Sequence, residues 1–371
     1  MKQLVLLGGG HAQIGVLASL AERPMTGCEV HLITPYRRQI YSGMLPGWVA
    51  GHYPLEACAI GLDALAARAG VVFHEAAAVA LDPPRHALRC DDDTDVPFDV
   101  LSIDTGPVAA TDDLPGSVEN ALPIRPIEGF VAAWPELVER VRAVGGRFDL
   151  VILGAGAAGV ELAFAMQHRA MTEGWSHLRL TLVGSDALPL DGAPHTLRKR
   201  AAALLAERAI AWVGGSRAER IEPNRLCLVH GAAIDFDACL IVTGAAAPAW
   251  PRAAGLATDA RGFIQVGPTL QSLSHRQIFA AGDVAAYSDA RPKSGVFAVR
   301  AGPTLTHNLR AMCEGGTLQS WSPQRRALYL VSTGGRHALA SWGPWTWHGN
   351  WVWHWKDRID RRFVRRFGPI T

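Results

Sequence analysis

Three stretches of this chain carry residue types and spacings that could do chemistry. The first is Leu150 to Ala163, LVILGAGAAGVELA. An apolar run breaks into Gly154-Ala155-Gly156-Ala157-Ala158-Gly159, and Glu161 follows. Glycines at these spacings suit a pyrophosphate. Gly154 permits a tight turn, Gly156 lets the ligand approach the backbone, and Gly159 lets the next helix pack closely. The N–H groups and the dipole at that helix's N-terminus hold the anion. The second stretch is Gly8-Gly9-Gly10, 146 residues earlier, with His11 and Ala12 behind it. The third is Ile278 to Asp283, IFAAGD. A carboxylate following Gly282 at a strand end can accept hydrogen bonds from a polyol such as ribityl.

Two dinucleotide cradles in one chain predict two dinucleotides with electrons passed between them. A flavin accepts hydride at N5 itself, and the protein supplies orientation and electrostatics. No protein nucleophile is then required, and the sequence offers no convincing triad. The cysteines (Cys28, Cys58, Cys90, Cys227, Cys239 and Cys313) form no CxxC and no metal-ligand spacing, so they read as isolated reduced thiols and no metal is expected. Reduced flavin tends to become anionic at N1, which a helix N-terminus and a nearby cation would stabilise. Gly295 to Asn308 reads as such a helix, with Lys293 just before it. Lys293, or the backbone of Gly295, Val296 and Phe297, is placed at the pyrimidine edge. The plainer alternative for Lys293 is a solvated loop residue.

Each cradle needs a strand in front and a helix behind. Lys2 to Leu7 and Leu150 to Leu153 are continuously apolar, as buried parallel strands are. Ala12 to Leu20, and the segment ending near Thr172, read as the helices. Gln13 stands where the first cradle's third glycine is expected, which predicts wider helix–strand packing. The next strands are Val30 to Ile33 and Leu178 to Val183. Thr34 and Gly184-Ser185 end them, where a ribose-reading carboxylate is usual. A hydroxyl binds ribose less strongly than a carboxylate, and Gly184-Ser185 leaves NADH against NADPH open. Arg198-Lys199-Arg200 reads either as a 2′-phosphate contact or as solvated helical charge.

Asp99 to Gly106 and Asp237 to Gly244 repeat a strand ending in Thr-Gly, the mark of a duplicated nucleotide-binding fold. Ala109 to Gly116 is turn-rich and reads as a linker. A helix is expected from Ile127, with Pro135 as a candidate kink. Tyr41 to Gly51, YSGMLPGWVAG, reads as a loop, either lying on a flat ring or forming a buried connection. The domains expected are 1–110 and 246–315 for one dinucleotide, 111–245 for the other, and a separate segment 316–371. The chain has 371 residues, 49% of them hydrophobic, enough for a real core. A net charge of +2 leaves no global nucleic-acid footprint. The apolar N-terminal run is too short for a signal core, and no apolar run reaches membrane-spanning length. A cytoplasmic protein is expected.

Together these residues resemble the two-dinucleotide-binding-domain flavoproteins, the pyridine nucleotide–disulfide oxidoreductase superfamily. The resemblance covers nearly the whole chain in order: GGG, Thr105-Gly106, GAGAAGVELA, Thr243-Gly244 and IFAAGDVA. It implies an α/β fold with two Rossmann-like domains, FAD in the domain built from both chain ends, and NADH or NADPH in the middle domain. The implied FAD set is Gly8, Gly10, His11, Ala12, Thr34, Pro46, Val79, Thr105, Gly106, Gly282, Asp283 and Val296. The implied nicotinamide set is Gly154, Gly156, Gly159 and Gly244. Glu161, near where nicotinamide would stack on flavin, and Lys293 are the catalytic candidates. GGGHA, YSGMLPG, PKSGVFAVRAGP and the Trp-rich tail look like the branch often fused ahead of selenophosphate synthetase (selenide, water dikinase). That branch is similar to type II NADH dehydrogenases, which are NADH:quinone reductases, and their Pro-Leu-containing loop near flavin corresponds to Leu45-Pro46. Two features depart from the pattern. The redox disulfide is absent, since Cys58 stands alone. The AQxAxQ quinone signature aligns with Gly295 to Arg300, where both glutamines are missing.

Six of the 12 tryptophans lie between Trp342 and Trp355. Trp351 to Trp355 alternates like a strand, and Trp355, Ile359, Phe363 and Phe367 form one stripe of a helix. Six Lys or Arg against two Asp occupy its other faces. This composition predicts an in-plane membrane helix over 342–367, or else a helix docked on the flavin domain or on a second copy in a homodimer. His337, His348 and His354 have no metal spacing and read as interfacial or structural. The expected function is an FAD-dependent NAD(P)H oxidoreductase, peripheral on the cytoplasmic membrane face. Hydride passes from nicotinamide to flavin, and electrons then pass to a quinone-like acceptor. The rivals are a soluble reductase with another acceptor, a selenium-linked one included, and a flavin-binding sensor or scaffold with little turnover.

Overall fold

The structure, a computed structural model, describes residues 1–111, 113–289 and 291–368. The first unit runs through β1 (Lys2–Leu7), α1 (His11–Glu22), β2 (Cys28–Thr34), α2 (Leu45–Val49), β3 (Val72–Glu75) and β4 (Val100–Ile103). A second follows the same plan: β5 (Leu122–Pro123), α3 (Ile127–Ala143), β6 (Phe148–Leu153), α4 (Ala157–Glu173), β7 (Leu178–Val183), α5 (His195–Glu207), β8 (Ala211–Val213) and β9 (Ala238–Ile241). The chain then returns through β10 (Ile278–Ala280) and α6 (Gly295–Glu314). It closes with β11 (Leu328–Ser332), β12 (Ala338–Trp342), β13 (Trp345–Gly349) and α7 (Asn350–Phe367).

Two parallel five-stranded sheets organise these elements, in the orders β10-β4-β1-β2-β3 and β5-β9-β6-β7-β8. Their central strands are buried on both faces, which explains why β1 and β6 read as unbroken apolar runs. The two sheets share one register. Leu7 pairs with Ile103 in the first, and Leu153 with Ile241 in the second. Each Thr-Gly therefore leaves the strand next to a glycine turn. β10 pairs with β4, so the first sheet draws strands from both ends of the chain. This is the α/β, doubly dinucleotide-binding architecture expected. α6 crosses α1 where Gly302 faces Ala12. A Cβ on Gly302 would sit 3.3 Å from the Ala12 carbonyl oxygen, so the small residue sets the approach of the two helices.

Two local expectations need correction. Leu45 to Val49 is a short helix rather than loop, because Pro46 lies in its first turn, where a missing N–H costs nothing. Trp351 to Trp355 belongs to α7 and not to a strand. The helix expected from Ile127 forms as α3 and continues through Pro135, with Phe130, Trp134, Leu137 and Val141 buried. Gln13 is fully buried, and its amide donates to the Ser102 carbonyl at 2.6 Å, so a side chain stitches helix to strand where glycine would have allowed closer packing.

The terminal segment is the antiparallel sheet β11-β12-β13 with α7 against it, Val352 and Trp353 packing on Ala338 and Ala340. The stripe that faces inward on α7 is Val352, Trp353, Lys356, Asp360, Val364 and Phe367. Trp355 and Ile359 face outward and Phe367 inward, so the expected stripe is split between two faces. Among the described residues, no helix is long and apolar enough to cross a membrane.

Candidate functional site

The second glycine turn is tight where strand and helix must meet and open where a ligand would enter. Gly154 has φ +117°, and a Cβ on it would lie 2.4 Å from the Val242 carbonyl oxygen. A Cβ on Gly159 would lie 1.8 Å from the Gly154 carbonyl oxygen. On Gly156, the N-cap of α4, it would meet nothing within 4 Å, and no side chain caps that helix end. Gly244 also opens on free space, and beside it Thr243 Oγ1 is buried with no partner among the described residues. An uncapped helix N-terminus, an open glycine and an orphaned hydroxyl fit a pyrophosphate-bearing dinucleotide.

The nucleoside end of this cradle is shaped by Trp212 in β8. A Cβ on Gly184 would lie 2.7 Å from the Trp212 ring, so the ring occupies the room a ribose-reading carboxylate would need. The basic cluster nearby is committed elsewhere. Arg198 donates to the Leu188 and Pro189 carbonyls at 2.5 and 3.0 Å, and Arg200 pairs with Glu207 at 3.0 Å. These two arginines brace a loop and a helix face.

The first cradle is built differently. Gly8 has φ +94°, and a Cβ there would lie 2.6 Å from the Asp104 carbonyl oxygen, which seats the turn against Thr105. The Asp104 carboxylate accepts from the Ala12 and Gln13 amides at 2.8 and 3.2 Å and caps α1. Burial raises its pKa to about 7. Ala12 therefore gives its amide to the Asp104 carboxylate and Gly10 gives its own to the Asp104 carbonyl at 3.0 Å, leaving the Gly9 and His11 amides of the turn for a phosphate. His11 is enclosed by Tyr41 and Phe363, with ring centroids at 5.5 and 5.6 Å. Its Nε2 is another buried atom with no partner among the described residues, and burial lowers its pKa to about 4. Thr34 ends β2, buried, at the sheet edge of the same cradle. Val79 stands on the separate antiparallel meander of Ala78–Asp82, Ala87–Cys90 and Asp95–Pro97, 55% exposed.

Asp283 follows β10 and joins this cradle from the far end of the chain. Burial raises its pKa, while Arg125 and Lys293 oppose the shift and the Ser294 backbone N–H donates to it. Lys293 Nζ donates to the Ala285 carbonyl at 2.6 Å and lies 3.8 Å from the Phe263 ring centroid. Burial lowers its pKa to about 8. It is thus a half-buried partner of Asp283 and not a solvated loop residue. Gly282, Asp283, Tyr287, Lys293 and Phe297 line one open cleft.

Glu161 lies on the buried side of α4 and accepts the Ser332 backbone N–H at 2.7 Å. Burial raises its pKa, and Lys356 opposes that. The terminal segment therefore reaches the catalytic candidate of the middle unit. A second, narrow cavity lies beside it, lined by Pro46, Tyr53, Ala165, Ser332, Trp353 and Lys356 among others. Lys356 Nζ pairs with Asp360 at 2.6 Å and donates to the Gly43 carbonyl at 2.5 Å. Burial works against this ammonium, but Asp360 and Glu161 together raise its pKa. The Tyr53 hydroxyl donates to Asp357 at 2.6 Å, and Phe363 packs 4.6 Å from Tyr41. Cys58 is alone and buried here, its thiol pushed up to about 12 by burial.

Gly8, Gly10 and Gly282 all close on Asp104 in one cradle, Val79 stands apart from it, and Asp104, Arg125, Lys356 and Asp360 were missed. Comparing the two repeats could have found Asp104, because Val242 holds its place before the second Thr-Gly. A Lys–Asp pair four residues apart inside the tail's aromatic helix was the signal for Lys356 and Asp360.

The family profile described as "Pyridine nucleotide-disulphide oxidoreductase" matches residues 2–308. A curated relative, demethylphylloquinone reductase NdbB of Synechocystis sp., is 25% identical over 299 residues, covering 78% of this chain and 73% of its own. The sulfide:quinone oxidoreductase of Aquifex aeolicus superposes with a TM-score of 0.82 at 19% identity, over 99% of this chain and 91% of that one. NDH2 of Plasmodium falciparum, solved with NADH, gives 0.76 at 10% identity over 98% and 97%. At these identities the two structures establish the fold.

Proposed function

The chain belongs to the pyridine nucleotide-disulphide oxidoreductase family, and from that premise we propose that it passes electrons from a nicotinamide through FAD directly to a small quinone-like acceptor. It is a flavoprotein oxidoreductase using FAD and a nicotinamide dinucleotide. One observation carries the reading of direct transfer: two glycine cradles stand in one fold, and the cysteine nearest the flavin side, Cys58, is single, buried and poorly ionisable. A disulfide relay therefore has no partner there.

FAD, when bound, supplies the two-electron chemistry. The chain's own residues bind, orient and exclude water. Asp283 holds the polyol, and the open Gly156 turn with the α4 N-terminus takes the nicotinamide dinucleotide's pyrophosphate. The narrow cavity beside Pro46 marks the side assigned to the acceptor, and Lys356, one of its lining residues, would supply a proton to the reduced acceptor. A quinone acceptor also agrees with the Synechocystis relative, a demethylphylloquinone reductase. The outward face of the terminal segment, with Trp342, Trp345, Trp347, Trp351, Trp355 and Ile359 exposed, is assigned to a membrane surface. Trp351 and Trp355 stack there at 6.2 Å beside exposed arginines, the amphipathic composition of an interfacial helix.

The test is steady-state turnover with a short-chain quinone. Because Arg198 and Arg200 are committed to other partners and Asp186 lies beside the Gly184 turn, NADPH meets no arginine clamp there. NADH is expected to have the higher kcat/KM by about tenfold, the equivalent of 1.4 kcal/mol. Equal or greater use of NADPH would remove this account of the nucleoside end. Turnover with neither donor would remove the proposed activity.

A further inference from the structure

Far from both cradles, two cysteines 285 residues apart in sequence meet. Cys28 opens β2 and Cys313 lies in the last turn of α6, and their sulfurs are 3.2 Å apart. They are therefore not the isolated thiols expected from spacing, although both are free. Their backbones are held in place by other bonds. Arg310 donates to the Arg23 and Pro24 carbonyls at 2.7 and 3.1 Å. Glu314 accepts the Thr26 N–H at 3.0 Å, and Lys2 Nζ donates to the Met312 carbonyl at 2.7 Å. The clamp brings the sulfurs to within about 1 Å of a disulfide bond length.

The two thiols are not equivalent. Cys313 is buried and Cys28 is half-buried, so Cys28 is the one a reagent can reach. Contact with Cys313 lowers the Cys28 pKa, burial opposes that, and Lys2 adds to the lowering. Contact with Cys28, together with burial, raises that of Cys313. Cys28 is thus the first to ionise and the natural attacking sulfur.

We propose that Cys28 and Cys313 form a reversible redox-modification site, a disulfide that staples the C-terminal end of α6 to the start of β2. The oxidant is a low-molecular-weight disulfide. The Cys28 thiolate attacks one of its sulfurs, breaks that S–S bond and releases one thiolate, which takes up a proton. Cys313, losing its proton, then attacks the Cys28 sulfur, closes the protein disulfide and releases the second small thiol. One disulfide is reduced to two thiols and two protein thiols are oxidised to one disulfide. The site is independent of electron flow through the flavin. From Gly295 to Cys313, α6 spans about 27 Å at its helical rise.

The test incubates the purified holoprotein with oxidised glutathione and maps its peptides without reduction. The expected result is a linked Cys28–Cys313 peptide pair, release of both glutathione halves, reversal by dithiothreitol, and a melting temperature higher by several degrees. Cys28→Ser should remain unmodified at this site. Cys313→Ser should stop at glutathione attached to Cys28, which separates attack from closure. Glutathione persisting on Cys28 in the wild-type chain, or no reaction at either residue, would overturn the proposal.

Discussion

Asp283→Ala is expected to purify with little flavin. Its carboxylate is half-buried beside Arg125 and Lys293, with desolvation raising its pKa and these two cations opposing that. Withdrawing an acceptor from water in this way is costly unless something uses it. A ribityl chain would offer hydroxyl donors to it, and hydrogen bonds to a charged group contribute about 1.5–3 kcal/mol each. Losing them, and leaving two cations without their anion, should weaken FAD binding by about a hundredfold or more. Asp283→Asn keeps an acceptor oxygen and should fall between. The flavin-to-protein ratio after gel filtration reads this directly. Full yellow colour in the Ala variant would show that Asp283 does not hold the polyol.

The second large effect is expected at Lys356. This ammonium, its partner Asp360 and the nearby Glu161 are all buried. Lys356→Ala strands two carboxylates in the interior, and breaking a buried pair this way costs about 3–5 kcal/mol. The melting temperature should fall sharply, and α7 should become sensitive to proteolysis because the pair anchors it to Gly43. The double variant Lys356→Met/Asp360→Leu removes both charges and should recover much of the lost stability. A single variant as stable as the wild type would mean that the pair does not hold α7. A double variant no better than the single would mean that Asp360 and its partner Tyr41 matter more than charge balance.

Much of this molecule is legible in its sequence because the repeated glycine turns need specific backbone space. Gly154 and Gly159 admit no side chain, and the paired Thr-Gly strands beside the turns fix which strands are neighbours. The tail was less legible, because composition reports that an amphipathic helix exists but not which face it buries. Trp355, Ile359, Phe363 and Phe367 looked like one stripe, yet Trp355 and Ile359 face outward while Phe367 is buried, and Lys356 and Asp360 turn inward, neutralising each other against Gly43. Asp104 escaped notice for a related reason. A carboxylate at the end of an apolar strand looks like an exposed residue until the α1 amides that it caps are in place. Cys28 and Cys313 illustrate the limit of spacing arguments, since only the fold makes them neighbours.

The central claim is that electrons enter from a nicotinamide and leave through a small quinone-like acceptor without a disulfide relay. An anaerobic absorbance titration tests it most directly. NADH is added to the purified protein under exclusion of oxygen, and a short-chain quinone follows. The account predicts prompt bleaching of the flavin band, a stoichiometry of one NADH per flavin with no extra equivalent consumed by a cysteine pair, and full recovery of colour on adding the quinone. A second equivalent of NADH taken up before bleaching is complete, or a bleached band that quinone leaves unchanged, would contradict it.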